Sequence, residues 1–111
     1  MSQYMIGRAS GEGYIEAVDG VLRKTLVYGD NTLMTEFRMD KGSQLPPHAH
    51  PHEQTGYLIA GKVILNLGEK EYKINPGDSW SIPGNETHSM EVLEDSIAVE
   101  VFSPVREDFL P

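Results

Sequence analysis

The sequence contains no cysteine. Disulfides and thiolate chemistry are therefore excluded, and any bound metal must rely on nitrogen and oxygen donors. Positive charge is also scarce. Nine Lys and Arg stand against seventeen Asp and Glu, for a net charge of −8 over 111 residues. Such a balance repels phosphate backbones and anionic membrane surfaces, so neither nucleic acid nor membrane is an expected partner. No stretch approaches the ~20 apolar residues of a membrane span. The opening MSQYMIGRASGEG holds no apolar run of signal-peptide length, so the expected location is the cytoplasm. Long amphipathic helices are missing too, because no segment sustains a helical apolar period for three turns.

What the chain does have is frequent turn signals. Asp19-Gly20, Gly29-Asp30-Asn31, Lys41-Gly42, Gly61, Gly68-Glu69, Asn75-Pro76-Gly77 and Pro83-Gly84-Asn85 punctuate it at short intervals. Between them lie runs rich in β-branched and aromatic residues: Val21–Tyr28, Leu33–Met39, Gly56–Ala60, Lys62–Leu67, Glu71–Ile74, Ser79–Ile82, His88–Val92 and Ile97–Phe102. This spacing predicts an all-β sandwich or barrel. The length fits one domain over residues 1–111, with an N-terminal arm at 1–13, a barrel over 14–103 and a tail at 104–111. The two ends are expected to pack across the barrel or against a partner.

All four histidines lie between positions 48 and 88, three of them in the segment HAHPHEQ. On a strand, His48 and His50 leave the same face and can aim two imidazoles at one ion. Pro46-Pro47 fixes an extended approach to them. Gln54 can return to that face from the next strand. His88 opens another strand, sharing its face with Met90 and Val92. His52 alternates with His50 and is a further donor in principle; a supporting or solvent-facing role suits it better.

The spacing around these residues resembles the cupin superfamily. Gly42, His48, His50, Gln54 and Gly61 fall at the intervals of the first cupin motif. Gly77, Pro83, Gly84, Asn85 and His88 fall at those of the second, with fifteen residues between the motifs. The resemblance implies a double-stranded β-helix, or jelly-roll, barrel with one divalent transition metal ion on His48, His50, Gln54 and His88. Nickel, zinc, iron, manganese and cobalt all accept such a ligand set. Gln54 stands where Glu is usual, Asn85 where Gly is usual, and Val92 where Asn is usual. A ligand set without charge leaves a divalent ion fully electrophilic, which favours an anionic substrate oxygen and lowers the pKa of bound water. Four protein ligands either close a tetrahedral site or leave positions open on a larger coordination sphere; the family resemblance implies the open form.

The C-terminal segment IAVEVFSPVREDFLP sets Ala98, Glu100 and Phe102 on one face and Ile97, Val99 and Val101 on the other. Parity alone does not say which face is inside. Glu100 is either an outward strand residue or a carboxylate entering the cavity as a general acid or base. Arg106, after Ser103-Pro104, is either a surface charge or a clamp for a substrate carboxylate. A narrower resemblance bears on this. The pieces GVLRK (20–24), HAHPHEQ (48–54) and FSPVREDF (102–109) are similar to the pectin-degradation cupins, which act on unsaturated galacturonate. That resemblance implies an active site on Glu100, Phe102 and Arg106, with Glu100 one methylene longer than the Asp usual there. It also implies ring opening of a carboxylate-bearing sugar by Lewis-acid and general acid–base chemistry, without redox change at the metal. The ligand set alone leaves two other readings open: a metal-dependent dioxygenase, and a metal- or small-ligand-binding protein without catalysis. A homodimer is expected from the family and from sheet edges that would otherwise stay open.

Overall fold

The computed structural model describes residues 3–111. Eight strands run along the chain: β1 (Ile15–Val18), β2 (Val21–Tyr28), β3 (Leu33–Met39), β4 (Gln44–His48), β5 (Glu53–Leu67), β6 (Lys70–Ile74), β7 (Ser79–Ile82) and β8 (His88–Ser103). A single 3-10 turn, Glu107–Phe109, follows them. Every pairing is antiparallel, in the order β1-β2-β3-β8-β5-β6, with β4 on β8 and β7 on β5.

Two long strands make the barrel. The second half of β8 pairs with β3 and with the first half of β5. The first half of β8 pairs with β4 and with the second half of β5. Each long strand thus belongs to two facing sheets, β1-β2-β3-β8-β5-β7 and β4-β8-β5-β6, which is a jelly-roll arrangement. At the sequence level the turn signal at Gly61 and the gap between the runs His88–Val92 and Ile97–Phe102 split each long strand in two. The structure instead bends each strand through that point. Gly61 takes φ 95°, the β5–β8 register shifts around it, and Ser96 Oγ accepts from the Lys62 amide at 3.1 Å while donating to the Glu94 carbonyl at 2.6 Å. A bulge of this kind raises local twist and lets a strand turn a barrel corner. β1 and β4 were not separate runs in the sequence pattern. β4 carries Pro46 and Pro47, and its ladder on β8 skips from Leu45↔Met90 to His48↔His88 across them, because neither proline has an N–H to give.

Alternation fills the interior. Val21, Leu33, Leu58, Val63 and Ile82 are fully buried, with Phe37, Met90, Val92 and Phe102 among those packed around them. Each such side chain contributes about 1.5–3 kcal/mol of burial. The arm runs along β2, where Lys24 Nζ donates to the Ser10 carbonyl and to Ser10 Oγ, both at 3.0 Å. The tail folds back over the barrel: Val105 and Phe109 pack on the core, and Thr25 Oγ1 donates to the Phe109 carbonyl. No helix among the described residues is long and apolar enough to cross a membrane.

Candidate metal centre and its pocket

Four elements bring the motif residues together. His48 ends β4, Gln54 enters β5 and His88 opens β8. His50 lies beyond β4 in the irregular connection to β5 rather than on a strand with His48. The connection nevertheless turns its ring inward. Ring centroids are 4.1 Å apart for His48–His88, 5.2 Å for His50–His88 and 5.8 Å for His48–His50. One donor atom from each of these three histidines lies within 4.8 Å of the others, a spacing that can hold a metal ion.

The connection is pinned by the turn ahead of β8. Gly84 packs so closely on Pro51 that a Cβ there would collide with the Pro51 carbonyl. The Asn85 amide donates to the His50 carbonyl at 2.7 Å. Asn85 sits at φ 65°, a left-handed conformation that Asn tolerates.

Each histidine is oriented through its backbone side. The Nδ1 atoms of His48, His50 and His88 contact the carbonyls of Pro46, His52 and Glu86 at 2.8, 3.0 and 2.8 Å. A carbonyl only accepts, so Nδ1 carries the proton and Nε2 presents its lone pair. Nε2 of His50 and of His88 is buried without a partner, and so is Oε1 of Gln54. Buried acceptors are seldom left in this state. Three of them in one place match the donor set that a divalent transition metal takes, and the residues therefore fit such an ion. His52 stands apart from the three-histidine group; its support to the site comes from its carbonyl, not its ring. Burial first, then nearby cationic groups, holds the His50 and His88 rings below the ordinary imidazole value.

The centre opens on a cavity of about 360 Å³ whose walls include Glu100, Phe102, Arg106, Trp80 and Phe109. The parity left open by the sequence is resolved here. Ala98, Glu100 and Phe102 point inward, and Glu100 is only 5% exposed. Its Oε2 accepts from the Gln54 amide N–H and from the Trp80 indole N–H, the latter at 3.2 Å. Both donors converge on one oxygen and leave Oε1 to the cavity. Burial pushes the Glu100 carboxyl up to about 7, against the opposing pull of Trp80, Gln54 and Arg106.

Trp80 was not among the residues picked out in the sequence. It pairs with Gly56 across β7–β5, and Gly56 pairs with Glu100 across β5–β8. The indole crosses the bare Cα of Gly56 to reach Glu100, and a Cβ at 56 would collide with the ring. Arg106 lies 15% exposed with its guanidinium carbon 5.0 Å from the Phe102 centroid. Its Nε and Nη2 donate to Asp108 Oδ1 and Oδ2 at 3.0 and 2.7 Å. That pairing, above all, holds the Asp108 carboxyl below its usual range.

Comparison with known proteins agrees with this architecture. The Cupin domain family model (Cupin_2) matches residues 35–104. The pectin degradation protein KdgF of Dickeya dadantii (strain 3937) is 33% identical over 97 residues, covering 86% of this chain and 88% of that one. The solved structure of KdgF from Halomonas sp. superposes with a TM-score of 0.90 at 27% identity, covering 96% of this chain and 100% of that one. Quercetin 2,3-dioxygenase of Bacillus subtilis (strain 168) is 28% identical over 85 residues, which are 72% of this chain but 25% of the relative. Sequence motif, fold and inward-facing histidines lead to one assignment: the chain belongs to the cupin family.

Proposed function

We propose that this protein is a metal-dependent enzyme that opens the ring of an unsaturated sugar acid. The observation that carries the reading is the convergence, in one cavity, of three unpartnered buried acceptors with the fixed carboxyl of Glu100 and the guanidinium of Arg106. His48, His50, Gln54 and His88 would hold the ion. When bound, it supplies Lewis acidity toward substrate oxygens.

The remaining chemistry falls to the protein's own side chains. In the cyclic 4,5-unsaturated form, the ring oxygen joins C1 to C5. Ring opening removes the anomeric hydroxyl proton, breaks the bond between C1 and the ring oxygen, and leaves a C1 aldehyde and a C5 enolate. Returning that proton to C4 completes the isomerisation to the linear keto form, with no atom gained or lost. Glu100 is suited to both proton movements. Two N–H donors immobilise its Oε2, its Oε1 stays available, and its pKa near 7 lets it take and return a proton at neutral pH. Phe102 offers an apolar face to the sugar ring, and Arg106 places positive charge where a carboxylate enters. The likeness to KdgF, a pectin degradation protein, supports the substrate class.

The test is turnover of a 4,5-unsaturated galacturonate, followed through the ultraviolet absorbance lost when the conjugated double bond disappears. The expected result is turnover that a chelator abolishes and added metal restores. Absence of chelator-sensitive turnover would overturn the reading. The likeness to quercetin 2,3-dioxygenase supports a second reading, oxygen-dependent cleavage of a small organic substrate. Oxygen uptake coupled to substrate loss would favour it, whereas the isomerisation consumes no oxygen.

A further inference from the structure

Arg23 lies on β2, half-buried, and lines the same cavity as the histidine cluster. Its guanidinium carbon stands 4.1 Å from the Phe109 ring centroid, and so does that of Arg106. The two guanidinium groups therefore lie no farther apart than twice that distance, on the wall of one cavity, in a chain whose net charge is −8. They are not equivalent. Arg106 spends its Nε–Nη2 edge on Asp108. Arg23 forms no salt bridge among the described residues, and its guanidinium carbon lies over the Phe109 ring. Its fork of N–H donors is uncommitted. Asp108 lies within the field of both cations but is held by Arg106, so it gives Arg23 no direct partner. A partly desolvated guanidinium gains from an anion within hydrogen-bond reach, and its planar fork matches a carboxylate through two parallel hydrogen bonds.

We propose that Arg23 is a specificity-determining residue of the pocket, receiving the carboxylate of the sugar acid and setting the preference for an acidic over a neutral sugar. The inference rests on the sugar-acid reading above and adds the group that recognises the acid. Phe109 ties the two ends of the chain to this role. The tail carries it back over the barrel, Thr25 holds its carbonyl, and the ring packs against the Arg23 guanidinium on the cavity wall.

The test compares equilibrium binding of galacturonate and galactose, a pair that differs in one carboxylate, by calorimetry on the metal-loaded protein. The ratio of the two affinities is the readout, because a general loss of folding or packing lowers both and leaves the ratio in place. Wild type is expected to prefer galacturonate. Arg23→Gln is expected to lower galacturonate affinity by about 10- to 100-fold, the span of a hydrogen bond to a charged group, with galactose affinity unchanged. Arg23→Lys, which keeps the charge and loses the fork, is expected to fall between them. A preference that survives Arg23→Gln overturns the role of Arg23 and leaves the sugar-acid reading standing. A wild type that does not prefer the acid overturns both.

Discussion

The first half of β8 sends His88, Met90 and Val92 into the barrel; the second half sends Ala98, Glu100 and Phe102. Both halves bury one polar group among apolar neighbours, at the same period of two. The two groups are treated in opposite ways. His88 has its Nδ1 held by the Glu86 carbonyl, while its Nε2 is buried with no partner. Glu100 has one oxygen held by two N–H donors. Bare acceptors grouped in this way can hold an ion. A carboxyl braced on one side and open on the other can exchange a proton. The bend between the two halves is what turns these faces toward one cavity.

The comparison breaks most completely at His88. Replacing His88 by Ala removes a donor outright. The loss in metal content and turnover should exceed the 10- to 100-fold that removal of a merely supporting partner brings. Glu100→Gln tests the other half. The amide oxygen still accepts from Gln54 and Trp80, but the side chain no longer carries a proton. Turnover should fall by about 10²–10⁴ with metal content unchanged, as measured by elemental analysis beside the ultraviolet assay. If Glu100→Gln lost the metal as well, the division between the two halves would be wrong.

Acid–base linkage sharpens the same contrast in protein stripped of metal. Glu100 has its folded pKa raised from 4.5 to about 7. Between those values the folded state binds more protons than the unfolded one, so stability falls as pH rises through that window. The full loss is about 3 kcal/mol once the group is ionised in both states. His50 and His88 have folded values below 6.5, the first cause being burial. There the unfolded state binds more protons, so these groups make stability rise with pH up to about 6.5. Urea unfolding between pH 4.5 and 7.5 should therefore show two opposed trends in wild type. Only the rising trend should remain in Glu100→Gln. Identical pH profiles for the two proteins would show that Glu100 titrates as an ordinary exposed carboxyl.

How much of this was legible in advance differs between the halves for a physical reason. His88 follows a turn at Pro83-Gly84-Asn85 and falls at a family spacing, and Met90 and Val92 share its face, so the buried face of this half could be read from the chain. For Ala98, Glu100 and Phe102 the period was readable but the inward face was not, because parity acquires a direction only when the barrel closes. The same closure hid the length of β5 and β8. Gly61 reads as a turn by its local preference, yet its bulge is held in place by Ser96, 35 residues away in the chain. The stretch before His48 reads in the sequence only as an extended approach and not as a separate run; its ladder on β8 simply skips Pro46 and Pro47. The alternation Ser79-Trp80-Ser81-Ile82 shows that Trp80 and Ile82 share a face. That the indole reaches Glu100 depends on two strand registers meeting at Gly56, which no local pattern contains. Arg23 stood inside a recognised segment without a role, since its partner Phe109 sits at the far end of the chain.

The smallest effect is expected at Trp80, and it separates bracing from packing. Trp80→Phe keeps a large apolar ring over Gly56 and removes only the N–H that donates to Glu100 Oε2. The carboxylate then keeps Gln54 as its one protein donor, so its ionised form is disfavoured further and its pKa should rise above the wild-type value. Turnover should drop roughly tenfold, the lower range for a hydrogen bond to a charged group, with metal content unchanged. The falling limb of the metal-free stability profile should move to higher pH. Gly56→Ala approaches the same bond from the other side. Its Cβ displaces the indole, so it should shift that limb in the same direction and add an overpacking cost of about 1–3 kcal/mol at every pH. A purely structural Trp80 would lower stability uniformly and leave the limb where it was. Movement of the limb in both variants is the signature of an indole that steadies the acid.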